Sequence, residues 1–167
     1  LFPLPKAQAT CWLNVASPEV AVELLNQAKS SFDAQLTAFE LVSDVALGLV
    51  LKNIAGSTRP TASSPWYILA EFSDADPVAV EAWLAAVLAS GAVGDGTLAA
   101  SGLQAKKLWA LRENISEAQK IEGVSIKHDI AVPVSRIPEF LARADAALAE
   151  AFPGIRVVAF GHVGDGN

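Results

Sequence analysis

Arg112 and Ser116 are a pair of side chains whose types and spacing could bind a small acid. They lie four residues apart in a segment of helical periodicity, so they would share one face of a helix. The planar guanidinium matches a carboxylate through parallel hydrogen bonds, and a serine hydroxyl can add one more. The competing interpretation is a solvated helix face on which Arg112 pairs with Glu113 or Glu117, and on this pattern alone it is the stronger one.

Lys127 is a second cation that could hold an anionic ligand. In a strand over residues 125–132, Lys127 and Asp129 would point to one face of a sheet, and His128 and its apolar neighbours would point to the other. A surface lysine paired to Asp129 explains the same pattern and is favoured by it. His128, on the apolar face, is predicted to be a structural histidine.

His162 directly follows an apolar run and is surrounded by Gly161, Gly164 and Gly166. Glycines let the backbone approach a ligand closely, and a neutral imidazole is a common metal ligand. A catalytic zinc site generally uses three protein ligands, so one histidine does not make a metal centre. Asp165 is a second candidate ligand, although an aspartate in a glycine-flanked turn more often caps the turn itself.

Two strand–helix–strand units in series are predicted in the first half of the chain. The first unit has a strand around residues 10–15, a helix that starts at Ser17-Pro18 and a strand at 36–42. A short buried helix at 45–51 and a loop at 56–65 follow. The second unit has a strand at 66–72, a helix that starts at Asp76-Pro77 and a short strand at 97–100.

The elements predicted for the second half must position the candidate residues. They are a helix at 103–118, a strand at 125–132, a helix capped by Ser135 and an apolar strand at 155–160, typical of a sheet centre. The whole pattern predicts an α+β fold of the ferredoxin-like kind. Its repeated β-α-β units would form an antiparallel sheet with helices packed on one face.

The composition limits the classes of partner. Hydrophobic residues make up 52% of 167 residues, which is enough for a core. The net charge of −6, from 12 basic and 18 acidic residues, disfavours nucleic acid and anionic membranes. A single cysteine, Cys11, favours a reducing compartment and a cytoplasmic location. No stretch approaches the ~18 uncharged residues that a transmembrane helix needs.

Three motifs occur in a fixed order along the second half of the chain. They are Leu-Arg-Glu-Asn-Ile-Ser-Glu-Ala at 111–118, Lys-His-Asp-Ile-Ala-Val-Pro at 127–133 and Gly-His-Val-Gly-Asp-Gly-Asn at 161–167. Together they resemble the C-terminal domain of FAD-linked oxidases, a family that includes D-2-hydroxyglutarate dehydrogenase, D-lactate dehydrogenase and the flavin subunit of glycolate oxidase. The opening Leu-Phe-Pro-Leu-Pro at 1–5 is similar to the segment that leaves the flavin domain, so the resemblance covers nearly the whole chain.

The resemblance implies an FAD-dependent oxidoreductase that oxidises a D-2-hydroxy acid to a 2-oxo acid by hydride transfer to the flavin. It implies Arg112, Ser116 and Lys127 as substrate contacts, although the D-2-hydroxyglutarate type usually has threonine at the second of these positions. It implies His162 as a ligand to a divalent metal, expected to be zinc. The residues implied to lie near the cofactor are Gly164, Asp165, Gly166 and Asn167.

The same resemblance implies that residues 1–167 are one truncated substrate-cap domain, without its N-terminal FAD-binding domain and its C-terminal end. The family's second metal-binding histidine, acidic ligand and catalytic histidine would follow Asn167. No catalytic residue is therefore expected within the chain, and the isolated chain is expected to be inactive. A homodimer and a peripheral membrane association of the parent protein are both left open.

Two other functions fit the pattern of elements. One is a non-enzymatic ferredoxin-like module that binds a small acid or regulates another protein, because fold alone does not settle function. The other is a structural or dimerising domain whose apolar loops and four tryptophans form an interface. The histidine among three glycines at a strand end favours the enzyme, because neither alternative needs it.

Overall fold

The structure, a computed structural model, describes residues 7–167, and the opening motif at 1–5 lies outside that range. Five strands and six α-helices follow one another within it. The strands are β1 (Gln8–Val15), β2 (Leu36–Ser43), β3 (Trp66–Ser73), β4 (Asp95–Leu98) and β5 (Phe160–Gly161). The helices are α1 (Pro18–Phe32), α2 (Asp44–Asn53), α3 (Pro77–Ala89), α4 (Gly102–Glu113), α5 (Ile115–Glu122) and α6 (Ile137–Ala151). Short 3-10 helices occupy Asp33–Gln35, Val134–Arg136 and Val163–Asp165.

The two repeated helix starts form as their sequences predict. The Ser17 hydroxyl accepts a hydrogen bond from the Val20 amide at 3.5 Å, and the Asp76 carboxylate accepts one from the Val78 amide at 3.0 Å. Proline stands in the first turn of both helices. These caps satisfy amides that have no partner inside the helix, so α1 and α3 begin where predicted.

The strands form one antiparallel sheet in the order β4-β1-β3-β2-β5. β1 pairs along its whole length with β3, from Gln8 opposite Ser73 to Val15 opposite Trp66. β2 pairs with the other edge of β3, and β4 pairs with the other edge of β1. Each β-α-β unit is therefore split by a strand of the other unit, as in the ferredoxin-like motif. The predicted α+β class, its repeated units and its antiparallel sheet are confirmed.

Helices cover both faces of this sheet. Cys11 and Leu13 face a buried cluster that includes α1 and α3, whereas Trp12 faces a second cluster built from α2, α4 and α5. In the first cluster the rings of Phe32 and Phe72 pack edge to face, 4.7 Å apart. Helices were predicted on one face of the sheet only, and this part of the prediction is wrong, because a second helical layer covers the other face. Burial of a large apolar side chain contributes about 1.5–3 kcal/mol, so both layers stabilise the sheet.

Two strands predicted in the second half do not form as expected. Residues 125–132 contain no strand, and the apolar run at 155–160 contributes only its last residue to β5. β5 pairs with β2 at the edge of the sheet, so the prediction of a central strand is wrong. A strand needs a ladder partner as well as an apolar pattern. Within residues 7–167, no strand pairs with 125–132, and the Val132 amide donates a single 2.9 Å hydrogen bond to the Gly166 carbonyl.

Helix boundaries also differ in this half. The helix predicted at 103–118 is interrupted at Asn114, whose side chain donates a 2.8 Å hydrogen bond back to the Ala110 carbonyl. α6 begins after Arg136 without a side-chain cap, so the prediction that Ser135 caps it is wrong.

No helix among residues 7–167 is long and apolar enough to cross a bilayer.

Candidate functional site

Helix α4 carries Arg112 to the sheet face beside β2. Ser101 caps the first turn of α4. Leu108 and Leu111 are buried in the cluster that covers this face. Because Leu111 is anchored in the core, its neighbour Arg112 lies at the flank of the helix, and its Nε donates a 2.8 Å hydrogen bond to Glu40 Oε2. The competing interpretation, in which Arg112 pairs with Glu113 or Glu117 on a solvated face, therefore does not hold.

Glu40 is a carboxylate in β2 that is only 2% exposed. Its Oε2 accepts the hydrogen bond from Arg112, and its Oε1 lies 2.5 Å from His162 Nδ1. The Arg112 guanidinium carbon also lies 4.6 Å from the centroid of the Phe160 ring, within cation–π range. A buried carboxylate is costly unless it is paired, so the engagement of both oxygens is what makes this position tolerable.

The pairing of β5 with β2 brings His162 to Glu40. Leu41 lies opposite Gly161 in this antiparallel ladder, and continuing the register by one residue sets Glu40 opposite His162. The His162 carbonyl accepts hydrogen bonds from the amides of Asp165 and Asn167, at 2.9 Å and 3.2 Å. The turn after β5 thus folds back on His162 and fixes its backbone, while its side chain remains 56% exposed.

Two glycines in this turn allow close contacts within the chain itself. A Cβ on Gly161 would lie 2.5 Å from the Asn167 carbonyl oxygen, and one on Gly166 would lie 2.5 Å from the Val132 carbonyl oxygen. Gly166 also has φ of 83°, in the left-handed region that favours glycine. At these two positions the close approach is therefore to protein backbone. The Gly164 carbonyl accepts a 2.8 Å hydrogen bond from Lys29 Nζ.

One cavity of about 650 Å³ brings most of the predicted site residues together. Arg112 and Ser116 both line it, although they lie on separate helices, α4 and α5. Apolar side chains of α6 and β5 form much of the remaining wall. Asp165 and Gly164, predicted beside the cofactor, are not among its lining residues. The predicted residues that do line it are Arg112, Ser116, Lys127, His162, Gly166 and Asn167.

The segment that carries Lys127 lies along the cavity without strand structure. Lys127, His128 and Asp129 all line the cavity and are all exposed. The prediction of His128 as a buried structural histidine is wrong, because the strand that would have turned it inward does not form. Lys127 is exposed, as the surface-lysine interpretation expects, but no ion pair joins it to Asp129 in the described part of the chain.

His162 fits the role of one metal ligand. Its Nδ1 faces a carboxylate, which leaves Nε2 as the nitrogen that could bind a metal, and histidine ligands typically have such a partner. No group of three or more His, Cys, Asp or Glu side chains that could hold a metal ion occurs among residues 7–167. Among the described residues, His162 is therefore a single candidate ligand and not part of a complete metal site.

Glu40 is the residue of this site that the sequence analysis missed. It stands in a strand whose neighbours Phe39, Leu41 and Val42 are all buried and apolar. A glutamate in such a run is a signal in itself, because acidic side chains are almost never fully buried without a partner. Its two partners lie 72 and 122 positions further along the chain, which no local pattern reveals.

Comparison with known protein families identifies the family of this chain. The family model described as FAD linked oxidases, C-terminal domain, matches residues 4–167. The chain belongs to this FAD-linked oxidase family. The resemblance stated from the three motifs is therefore confirmed.

Curated relatives of the chain share one name. It is 40% identical over 151 residues to a D-2-hydroxyglutarate dehydrogenase of Xanthomonas citri pv. viticola, which covers 87% of the chain. It is 32% identical over 170 residues to a mitochondrial D-2-hydroxyglutarate dehydrogenase of Danio rerio, and 34% identical over 150 residues to that of Arabidopsis thaliana, with 98% and 87% of the chain covered. The matched segments span 31%, 31% and 26% of these relatives, so the chain corresponds to less than a third of their length.

Proposed function

We propose that the chain is the substrate-binding domain of a longer FAD-dependent dehydrogenase that oxidises a D-2-hydroxy acid to a 2-oxo acid. One observation carries the proposal: Arg112, Ser116, Lys127 and His162 converge on one cavity in a chain of the FAD-linked oxidase family. The names of the relatives support the substrate class, and the chain's small share of their length supports its being one domain of several.

Arg112 and Ser116 would bind the carboxylate of the acid. Arg112 uses its Nε for Glu40, so its two terminal nitrogens remain for a ligand, in the fork geometry that suits a carboxylate. Ser116 lines the same wall of the cavity and could donate one further hydrogen bond. Lys127 adds a second cation, which would hold a second carboxylate in an acid such as 2-hydroxyglutarate.

The contribution of this chain to catalysis would be orientation. Bound FAD supplies the acceptor for the hydride that leaves C2 of the acid. Arg112 and Lys127 would fix the acid in the cavity so that C2 faces the flavin, and such positioning accounts for a large part of catalytic rate. The apolar wall from α6 and β5 would exclude water from the bound acid. Gly164, Asp165, Gly166 and Asn167 beside the flavin remain a prediction.

His162 would be one ligand of a divalent metal, expected to be zinc, with the other ligands provided by parts of the full-length protein beyond residues 7–167. A bound divalent cation makes a coordinated 2-hydroxyl more acidic. The cytoplasmic location, the homodimer and the membrane association also remain predictions, and two of the three relatives described above are named as mitochondrial proteins.

The test is the flavin and metal content of the full-length protein. We expect the purified protein to show flavin absorbance and to contain a divalent metal in stoichiometric amount. His162→Ala should lose the metal, whereas His128→Ala should keep it, because His128 lines the same cavity without a carboxylate partner in the described chain. A full-length protein that binds neither flavin nor metal would contradict the proposal and favour a non-enzymatic acid-binding module.

A further inference from the structure

Glu40 contacts two residues with different roles in the proposed site, and neither the motifs nor the family assignment gives it a role of its own. We propose that Glu40 is a positioning residue: its carboxylate, bonded to Arg112 Nε and His162 Nδ1, turns both side chains toward the cavity and couples metal binding to acid binding. This inference rests on the proposed function, since it assigns His162 to the metal and Arg112 to the acid.

The contact with His162 selects which ring nitrogen a metal can reach. Glu40 Oε1 lies 2.5 Å from Nδ1, and an ionised carboxylate can only accept a hydrogen bond, so this contact favours the tautomer with the proton on Nδ1. Nε2 is then left with its lone pair on the side of the ring away from Glu40. Because the side chain is 56% exposed and lines the cavity, that nitrogen is available to a metal there. A carboxylate on the second ring nitrogen fixes the tautomer and orientation of a histidine ligand.

The contact with Arg112 fixes the plane of the guanidinium. Nε is bonded to Glu40 Oε2 at 2.8 Å, and the Phe160 ring packs against the guanidinium, with 4.6 Å between its carbon and the ring centroid. Neither terminal nitrogen has a hydrogen-bond partner among residues 7–167. An arginine held along one edge and on one face presents a pre-oriented fork, and less conformational entropy is lost when a carboxylate binds it.

The two contacts are coupled because they use the two oxygens of one carboxylate. Glu40 is buried in β2 between β3 and β5, so its own position is set by the sheet. A shift of the carboxylate toward one partner lengthens its contact with the other. In the proposal, metal binding at His162 and acid binding at Arg112 both require the position of Glu40 in which it contacts the two side chains at once. An event that holds the carboxylate in that position should therefore favour the other event.

A purely structural ion pair is the competing explanation, and Glu71 provides a matched control for it. Glu71 also lies on a strand of the sheet and also binds helix α4, through a 2.8 Å hydrogen bond from Trp109 Nε1 to its Oε2. It does not line the cavity. If Glu40 only holds α4 in place, Glu71→Gln and Glu40→Gln should change Zn²⁺ affinity and KM to a similar extent. If Glu40 positions His162 and Arg112, only Glu40→Gln should change them.

The experiment measures Zn²⁺ affinity on the full-length flavoprotein after metal removal, by competition with a chromophoric chelator, and the KM and kcat for D-2-hydroxyglutarate after metal is restored. Glu40→Gln should weaken Zn²⁺ binding by about 10- to 100-fold, the effect typical of a lost partner of a histidine ligand. It should also raise KM, while Glu71→Gln changes neither. In a His162→Ala background, Glu40→Gln should have no further effect on Zn²⁺ affinity.

A second variant covers the case in which Glu40→Gln does not fold. Glu40→Asp keeps the buried charge but shortens the side chain by one carbon–carbon bond of about 1.5 Å, so one carboxylate cannot reach both partners. It should also weaken Zn²⁺ binding. If either folded variant binds Zn²⁺ and the acid like the wild type while His162→Ala does not bind Zn²⁺, the inference is overturned and the proposed function stands. If the wild type itself binds no Zn²⁺, both are overturned.

Discussion

Replacement of Arg112 by lysine tests the proposed acid-binding group with the smallest change in charge. Lysine keeps one positive charge but has neither the planar fork nor the Nε that donates to Glu40. Leu108 and Leu111, which anchor α4 in the core, are unchanged. The substitution should therefore alter how the cavity binds an acid. Because it also removes one partner of the buried Glu40 carboxylate, we expect some loss of stability with the overall fold retained.

The size of the effect follows from the hydrogen bonds that are lost. A hydrogen bond to a charged group contributes about 1.5–3 kcal/mol, and each 1.4 kcal/mol corresponds to about tenfold in binding. Lysine at position 112 can give a carboxylate one such bond where the arginine fork can give two. We therefore expect KM for the acid to rise by roughly 10- to 100-fold. Because this interaction would be present in both ground and transition states, kcat should change much less.

The assay is steady-state oxidation of the acid by the full-length protein with an artificial electron acceptor, with circular dichroism as the test of folding. Arg143→Lys is the matched control, because Arg143 lies on α6, is 78% exposed and pairs only with Glu139 among the described residues. It should behave like the wild type. Unchanged kinetics in folded Arg112→Lys would refute the assignment of Arg112 to the acid.

Three further predictions concern parts of the chain outside this contact. Hydrogen bonds, the first of them from Lys52, lower the pKa of Glu122 to about 2 from an ordinary value of 4.5. Their stabilisation of the fold is therefore fully present above pH 4.5 and is lost as the pH falls toward about 2. In urea denaturation, the difference in the free energy of unfolding between wild type and Glu122→Gln should shrink across this window. Burial raises the pKa of the Cys11 thiol to about 12, so iodoacetamide should label it slowly in the native protein and fast in denaturant, and equal rates would show that it is accessible. Gly166→Ala would place a Cβ 2.5 Å from the Val132 carbonyl oxygen at a residue with a left-handed φ, so it should lower the free energy of unfolding by at least about 1–2 kcal/mol. In Gly102→Ala the added Cβ has no neighbour within 4 Å, so this control should not be destabilised in that way.

Local sequence signals predicted the first half of the fold well. Ser17 and Asp76, each followed by proline, mark the true starts of α1 and α3, because a cap depends on residues within one turn. The strands of the two repeated units were also predicted, because short runs rich in apolar residues on either side of the capped helices mark most of them. The alternating segment at 125–132 and the apolar run at 155–160 gave wrong strand predictions. A strand forms only where another strand pairs with it, and such a partner is distant in the sequence.

The sequence motifs identified residues of the candidate site but not the contacts that connect them. Arg112, Ser116, Lys127 and His162 came from motifs, and the structure brings them to one cavity. The connection of Arg112 and His162 through Glu40 depends on the β2–β5 register and on the packing of α4, both of which are long-range features. The charge of Glu40 inside an apolar strand is a signal that a partner is needed, but it does not identify that partner, and the residue was missed.

Anaerobic reduction of the flavin tests the central claim most directly. The full-length protein, loaded with FAD and metal, is mixed without oxygen with the D and L forms of 2-hydroxy acids, among them 2-hydroxyglutarate and lactate, and the visible flavin absorbance is followed. The proposed function predicts that a D-2-hydroxy acid bleaches the flavin, that the L form does not, and that Arg112→Lys requires a higher concentration of the same acid. A flavin-loaded protein that no D-2-hydroxy acid reduces would contradict it.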